Sequence, residues 1–398
     1  MLLLKKNFYI ILFLLFVIFS RVISIVYFGD KIIVNEWGDI LFNLENEGIF
    51  GFRRLENFIA PNLFMPPLYP ILLFFLKKIN LFSYHYVEFV LYVQLIISIL
   101  TIYYFMQLLK IFFSGKIYFF GLIVFAFFPL NVYSVSQISS ITINIFFVVC
   151  FLLNYFLYFK HNQTKYLIFF SIFCGLLILT RGEFIIFYLF ALFYYFFKKK
   201  NLKNIFISFI IVFFVLSPYL VRNYIVFEKI TITKSIGYNL WKGNNEYSKS
   251  EGYETIHNNE FKNKIEHLIK NNNYDIEIDR LYKNEAIKNI SNSPKKYFLS
   301  YLKKLISFFF LDFESSFPHY YNLFHLAPKA LLGLFSFFGA IISFKKNDYY
   351  KFLSLFYLSY GLIFSFFFIL PRYSLIVLPV QIILTCNLLN NLRFNRVN

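Results

Sequence analysis

Ten near-continuous apolar runs constrain this chain more than any other feature. Most are close to the length a helix needs to cross roughly 30 Å of hydrocarbon. They fall at roughly 8–28, 86–109, 117–134, 140–159, 166–180, 183–197, 204–221, 327–344, 350–369 and 373–391. A backbone in lipid must pair its own N–H and C=O groups, which leaves helices or a closed barrel. The runs are continuous rather than alternating, so helices are expected and a β-barrel is not. Charged residues make up 15% of the chain, against about a quarter in a soluble domain. The abundant Phe and Tyr, together with Ile, Lys and Asn, fit an AT-rich genome, so no single aromatic stripe is given functional weight.

The net charge of +18 raises the question of nucleic acid. No nucleic-acid motif accompanies it, and the basic residues instead punctuate the apolar runs. They cluster at Lys5-Lys6, Lys110 to Lys116, Lys160 to Lys165, Lys198 to Lys200, Lys345-Lys346 and Arg393 to Arg396. Placing every cluster in the cytoplasm gives about ten crossings with both termini inside. The parity closes only if Pro66 to Lys78 lies on the outer surface as an amphipathic helix. Pro at a first helical turn suits that start, because its missing N–H would be unpaired there anyway. Lys5-Lys6 precede an apolar stretch with no small-residue cleavage site, so an uncleaved first helix is expected.

Three regions follow. Residues 1–221 form an N-terminal transmembrane bundle that includes a first outer loop at 29–84. Residues 222–326 form a large non-cytoplasmic loop, and residues 327–398 form C-terminal transmembrane hairpins. The large loop carries a charged helical pattern near Asn259 to Lys288. At 294–311 lysines alternate with Phe and Leu, as in an interfacial helix, with a crossing as the alternative. Cys150, Cys174 and Cys386 lie in apolar runs without a CxxC pair. The histidines lack zinc-ligand spacing, and there is no P-loop, dinucleotide fingerprint or nucleophile elbow. No metal or cofactor is expected.

Acidic residues are scarce, 21 of 398, which gives the ones at membrane edges weight. Glu36 and Asp39 stand in the first outer loop, three apart, on one face if that segment is helical. Arg181 and Glu183 share the tight turn Thr180-Arg181-Gly182-Glu183. Arg222 and Asn223 end the span that opens the large loop, and Arg372 follows Pro371. Charge at membrane depth commonly marks a pathway or site. Singly, each has a plainer reading: solvated loop carboxylates, or arginines that snorkel to headgroups. As a group, they suit a phosphate-bearing lipid and a proton to be removed, because Arg offers phosphate planar, bidentate donors. The stretch Asn239-Leu240-Trp241-Lys242-Gly243-Asn244-Asn245 combines turn residues with an indole. It could stack on and hydrogen-bond a sugar, or anchor at the membrane interface.

Six strings, in order, carry a resemblance. They are Glu36-Trp37-Gly38-Asp39-Ile40 with Asn43-Leu44, Pro66-Pro67-Leu68-Tyr69-Pro70, Leu179-Thr180-Arg181-Gly182-Glu183, Ser217-Pro218-Tyr219 with Arg222-Asn223-Tyr224, Asn239 to Asn245, and Pro371-Arg372-Tyr373 with Pro379. Together, across about residues 5–390, they resemble the polyprenyl-phosphate-sugar-dependent glycosyltransferases of the membrane GT-C fold. The similar branch is glycosyltransferase family 39, protein O-mannosyltransferase-like, with its bacterial aminoarabinose transferase-like kin. The resemblance implies an all-α polytopic bundle with juxtamembrane helices in the first outer loop. It implies inverting transfer from a lipid-linked sugar phosphate to an acceptor hydroxyl at the outer face, in a bacterial inner membrane. A first-loop carboxylate would be the general base: Glu36 first, Asp39 second, Asp30 third. Arg181, Arg222 and Arg372 would bind the donor phosphate. Glu183, Tyr69, Asn223, Trp241, Asn244 and Asn245 would line the sugar or acceptor side. The partners implied are the polyprenyl-phosphate sugar, membrane lipids, and a lipid, glycan or protein hydroxyl as acceptor. Two departures stand out. Asn35 sits where relatives carry Asp, and Ser139-Ser140-Ile141-Thr142 sits where relatives carry a second acidic residue, which argues against a bound metal. A flippase or a glycan ligase is the competing class, but no inverted repeat or pair of broken mid-membrane helices supports a transporter.

Overall fold

A computed structural model describes residues 2–33, 36–54, 59–80, 85–268, 274–312, 315 and 322–394. Asn35 and the last residues of the C-terminal basic cluster lie outside the described residues. Helix α1 (Leu2–Phe28) leads into the first outer loop, which holds α2 (Glu36–Asn46), a two-residue antiparallel ladder of β1 (Arg53–Arg54) with β2 (Ile59–Ala60), and α3 (Leu68–Ile79). Then come α4 (Tyr86–Phe112), α5 (Gly115–Phe127), α6 (Pro129–Ser134), α7 (Ile141–His161), α8 (Thr164–Thr180), α9 (Phe184–Lys199) and α10 (Leu202–Phe227). The large loop folds as α11 (Ile236–Gly243), α12 (Asn259–Leu268), α13 (Tyr274–Asn292) and α14 (Pro294–Phe309). The chain closes with α15 (Leu323–Ser343), α16 (Asp348–Phe364), α17 (Pro371–Leu375) and α18 (Leu378–Phe394).

Each apolar run is largely helical, and among the described residues five helices (α1, α4, α7, α10 and α15) are long and apolar enough to cross a membrane. The run at 117–134 is not one helix. Phe128 is extended (φ −60°, ψ 120°) because the ring of Pro129 disfavours a helical residue before it, and α6 restarts at that proline. The last run also divides, at Ile376 and Val377, so that α17 stands apart from α18. Asn162 and Lys200, both with φ 51°, stop α7 and α9 and turn the chain straight back into α8 and α10.

α7 is the axle of the bundle. It packs against α4, α8, α17 and α18, and 89% of its central window is buried, against 22% for α1 and for α10. The large loop has a core of its own, built from Trp241, Phe261, Ile265, Ile278, Tyr282 and Ala286, onto which Ala60 of the first outer loop also packs. Burying each large apolar side chain is worth about 1.5–3 kcal/mol, so this core holds α11 to α12 and α13 as a folded unit. α14 is a helix at the expected place, but its lysines are not all on a wetted face: Lys304 is 0% exposed.

Candidate active site

The N-terminal end of α7 gathers the charged groups. Asp30, two residues beyond α1, is fixed to the α6–α7 loop twice: its amide donates to Ser136 O (3.0 Å) and its Oδ2 accepts from the Ile138 amide (2.6 Å). Burial raises its pKa above the ordinary aspartate value, opposed in part by the Ile138 N–H. Gln94 on α4 braces the same loop, donating from Nε2 to Val135 O (3.1 Å) and Gln137 O (2.8 Å). Its Oε1 accepts from the hydroxyl of buried Tyr69 on α3 (3.0 Å), whose ring meets Trp37 edge-on at 4.9 Å. Burial first, then the charges of Tyr86 and Asp30, push the Tyr69 hydroxyl well above its usual pKa, so Asp30 and Tyr69 share one electrostatic neighbourhood.

On the other flank of α7, buried Asn144 accepts from Thr180 Oγ1 (2.5 Å), which fastens the end of α8 one residue before Arg181. The Arg181 guanidinium stacks over the Tyr373 ring (4.7 Å) and near Phe364 (5.9 Å), and its Nε pairs with Glu183 Oε1 (3.1 Å). Its Nη1 and the adjacent Tyr360 hydroxyl are both buried, and neither makes a hydrogen bond of full geometry among the described residues, although the guanidinium lies within polar reach of the Tyr360 and Tyr373 hydroxyls. An unpaired buried donor costs about 1–3 kcal/mol, so this corner fits an added anionic oxygen. Arg372 rises from α17, which packs on α6 and α7. It is exposed, makes no hydrogen bond or ion pair among the described residues, and acts electrostatically on Tyr373 together with Arg181 and Glu183. The structure therefore joins Arg181, Glu183 and Arg372 around one tyrosine.

The other sequence-expected residues stand elsewhere. Glu36, half-buried, and Asp39, exposed, occupy the first turn of α2, where the helix dipole favours carboxylates; neither makes a hydrogen bond or ion pair among the described residues. Arg222 is not beside Arg181. Its Nη1 donates to Asn62 O (3.0 Å) and Asn223 Oδ1 (2.8 Å), its Nη2 to Phe50 O (3.2 Å), and the rings of Phe50, Tyr219 and Phe227 surround it. Asn223, fully buried, donates to Thr231 O (2.6 Å). The pair tethers the first outer loop to α10, so the expected phosphate role of Arg222 gives way to carbonyl binding. Trp241, Asn244 and Asn245 are turned inward as well. Trp241 is 4% exposed and packs on Tyr282 (4.8 Å) and Phe261 (6.1 Å). Asn244 donates to Leu240 O and Phe366 O, and Asn245 to Tyr253 O. These side chains satisfy backbone carbonyls rather than face an open sugar site.

Sequence reading missed Gln94, Asn144 and Tyr360. The first two carried a usable signal, a buried amide inside an otherwise apolar helix. Tyr360 carried none, because one more tyrosine in an aromatic-rich helix is indistinguishable from packing.

No family model matches the chain, and no curated protein matches it. Two solved structures share its fold, both of the oligosaccharyltransferase of Archaeoglobus fulgidus. One is its crystal structure in complex with zinc and sulfate: 13% identity, TM-score 0.52, covering 96% of this chain and 49% of that one. The other is the archaeal oligosaccharyltransferase AglB in complex with an inhibitory peptide and a dolichol-phosphate: 13% identity, TM-score 0.53, covering 98% and 52%. At that identity the likeness is one of fold, the GT-C fold, and this chain spans about half the length of either structure.

Proposed function

We propose that this chain is an integral membrane glycosyltransferase. It moves a hexosyl or pentosyl group from a polyprenyl-phosphate donor to an acceptor hydroxyl at the non-cytoplasmic face, with inversion. The branch is family 39-like, with about ten crossings, cytoplasmic termini and a bacterial plasma membrane location. One observation carries the reading. On a GT-C frame, a first-loop carboxylate (Asp30) and an arginine pair with an unpaired buried donor (Arg181, Arg372) flank the same end of α7. The dolichol-phosphate bound to AglB, itself a polyprenyl phosphate, agrees with such a donor. Its peptide keeps a protein hydroxyl among the acceptors, beside lipid and glycan hydroxyls.

The chemistry follows from these groups. The base takes the acceptor hydroxyl proton as that oxygen attacks the anomeric carbon from the face opposite the phosphate. The anomeric C–O bond breaks, and the lipid phosphate leaves with the electron pair. Arg181 Nη1 and Arg372 face the charge growing on that phosphate, an interaction stronger in the transition state than before it. Arg181 is held in place by Glu183 and Tyr373. Asp30 replaces Glu36 as the first choice of base: it is anchored, half-buried and raised in pKa, which brings it nearer the working pH. Glu36 and Asp39 stand next, on a helix held to Tyr69 through Trp37.

The test is release of polyprenyl phosphate from a panel of labelled polyprenyl-phosphate sugars, in membranes with envelope acceptors present. Wild type should turn over. Asp30→Asn should lose on the order of 10²-fold or more, as expected on removing a general base, while Glu36→Gln keeps most activity. Loss confined to Glu36→Gln would return the base to α2. No turnover with any donor, alongside movement of labelled lipid across the bilayer, would replace the enzyme with a flippase.

A further inference from the structure

The Asn239–Asn245 string is not explained by the reaction, yet it is densely bonded. Lys304 of α14 is 0% exposed, and its Nζ donates to Gly243 O and to Asn244 Oδ1, each at 3.1 Å. Among the described residues no carboxylate faces it, and burial alone pushes its pKa down to about 7. The Asn244 carboxamide, oriented by that lysine, donates across to Phe366 O (2.8 Å) in the segment joining α16 to α17. Gly243 lies flush on the same segment: a Cβ there would stand 2.2 Å from Phe367 O and 2.9 Å from Phe368 N. The Ile369 amide donates to Ser250 O (2.8 Å), and Ser250 Oγ accepts from Ser307 Oγ of α14 (3.1 Å). Six and seven residues on from Phe366 come Arg372 and the Tyr373 ring on which Arg181 stacks.

We propose that Gly243, Asn244 and Lys304 are positioning residues that latch segment 366–370 and thereby set Arg372 and Tyr373 against Arg181. This rests on the reading of Arg181 and Arg372 as a phosphate site. The motif acts on the donor from behind, through backbone carbonyls, and its glycine is required because any side chain would pry the segment off. The large outer loop is thus wired to the phosphate corner, and whatever shifts α11 or α14 shifts Arg372.

The experiment uses the full chain in detergent with two readouts. One is amide hydrogen exchange at Ile369, and the other is affinity for farnesyl phosphate as the probe. Gly243→Ala and Lys304→Met should speed exchange at Ile369. They should also weaken farnesyl phosphate roughly tenfold, the scale of one well-placed hydrogen bond. Arg372→Gln should weaken binding with exchange unchanged, and combining it with Lys304→Met should weaken binding no further, because the latch acts through that arginine. Lys304→Met guards against Gly243→Ala failing to fold. Unchanged exchange in both latch variants overturns the latch. Faster exchange with unchanged binding, or additive loss in the double variant, overturns its action on Arg372. Altered exchange in a protein whose wild type binds no farnesyl phosphate overturns the phosphate reading beneath it.

Discussion

Arg181 caps α8, and Arg222 lies in the last two turns of the neighbouring α10, at the same end of the bundle; in sequence they look alike, an arginine beside a polar residue at the close of an apolar run. The structure gives them opposite surroundings. Arg222 is held by three oxygen acceptors and three rings. Arg181 has one carboxylate, two stacked rings and a buried nitrogen without a partner. A guanidinium whose two Nη groups are bonded to loop carbonyls and a neighbouring amide builds structure; one with a buried Nη outside such bonds can take a ligand. Sequence position fixes neither fate, because the deciding acceptors on Arg222, Phe50 and Asn62, lie more than a hundred residues away in the chain.

The contrast can be broken by substitution. Arg181→Gln should cost the largest effect, about 10²–10³-fold in turnover, as for loss of one donor to transition-state charge. Its unfolding temperature in detergent should barely move. Arg222→Gln should do the reverse: the loss of charged hydrogen bonds to two loop carbonyls lowers stability by about 2–3 kcal/mol, read by thermal unfolding, while turnover per folded molecule is kept.

A smaller, sharper effect lies in pH. Asp30 must be ionised to act as base, so activity falls as pH drops through its folded-state pKa. Burial raises that value, so the acid limb of kcat/KM should stand above the ordinary aspartate range and vanish in Asp30→Asn. The smallest effect should come from the partly exposed Lys77–Glu45 pair (2.6 Å) between α3 and α2. Glu45→Gln should change stability by less than about 1 kcal/mol, since solvent screens such pairs.

Much of the frame was legible. Every apolar run is largely helical, with breaks at Phe128, after Phe364 and at Ile376–Val377, because continuous hydrophobicity with basic punctuation leaves the backbone few other options. The Thr180 to Glu183 turn announced itself as polar letters between two such runs, and it carries Arg181, the arginine of the proposed phosphate corner. The misreadings share one cause. Trp241 and Asn244 look like a ligand platform when read locally, but Phe261, Tyr282 and Phe366, which bury and bond them, come from distant segments. Asp30 was ranked last of three carboxylates because its anchor, Ile138, is 108 residues away. The alternation of Lys with Phe at 294–311 reads as an interfacial helix and does not single out Lys304, whose burial comes from its bonds to Gly243 and Asn244, some sixty residues earlier.

The most direct measurement is donor turnover per folded molecule for Arg181→Gln and Arg222→Gln side by side, in membranes supplied with a polyprenyl-phosphate sugar that wild type uses. The expected result is a folded but nearly inactive Arg181 variant and a less stable but active Arg222 variant. Equal loss in both, or loss confined to Arg222→Gln, would contradict the assignment of the phosphate corner to the N-terminal end of α7.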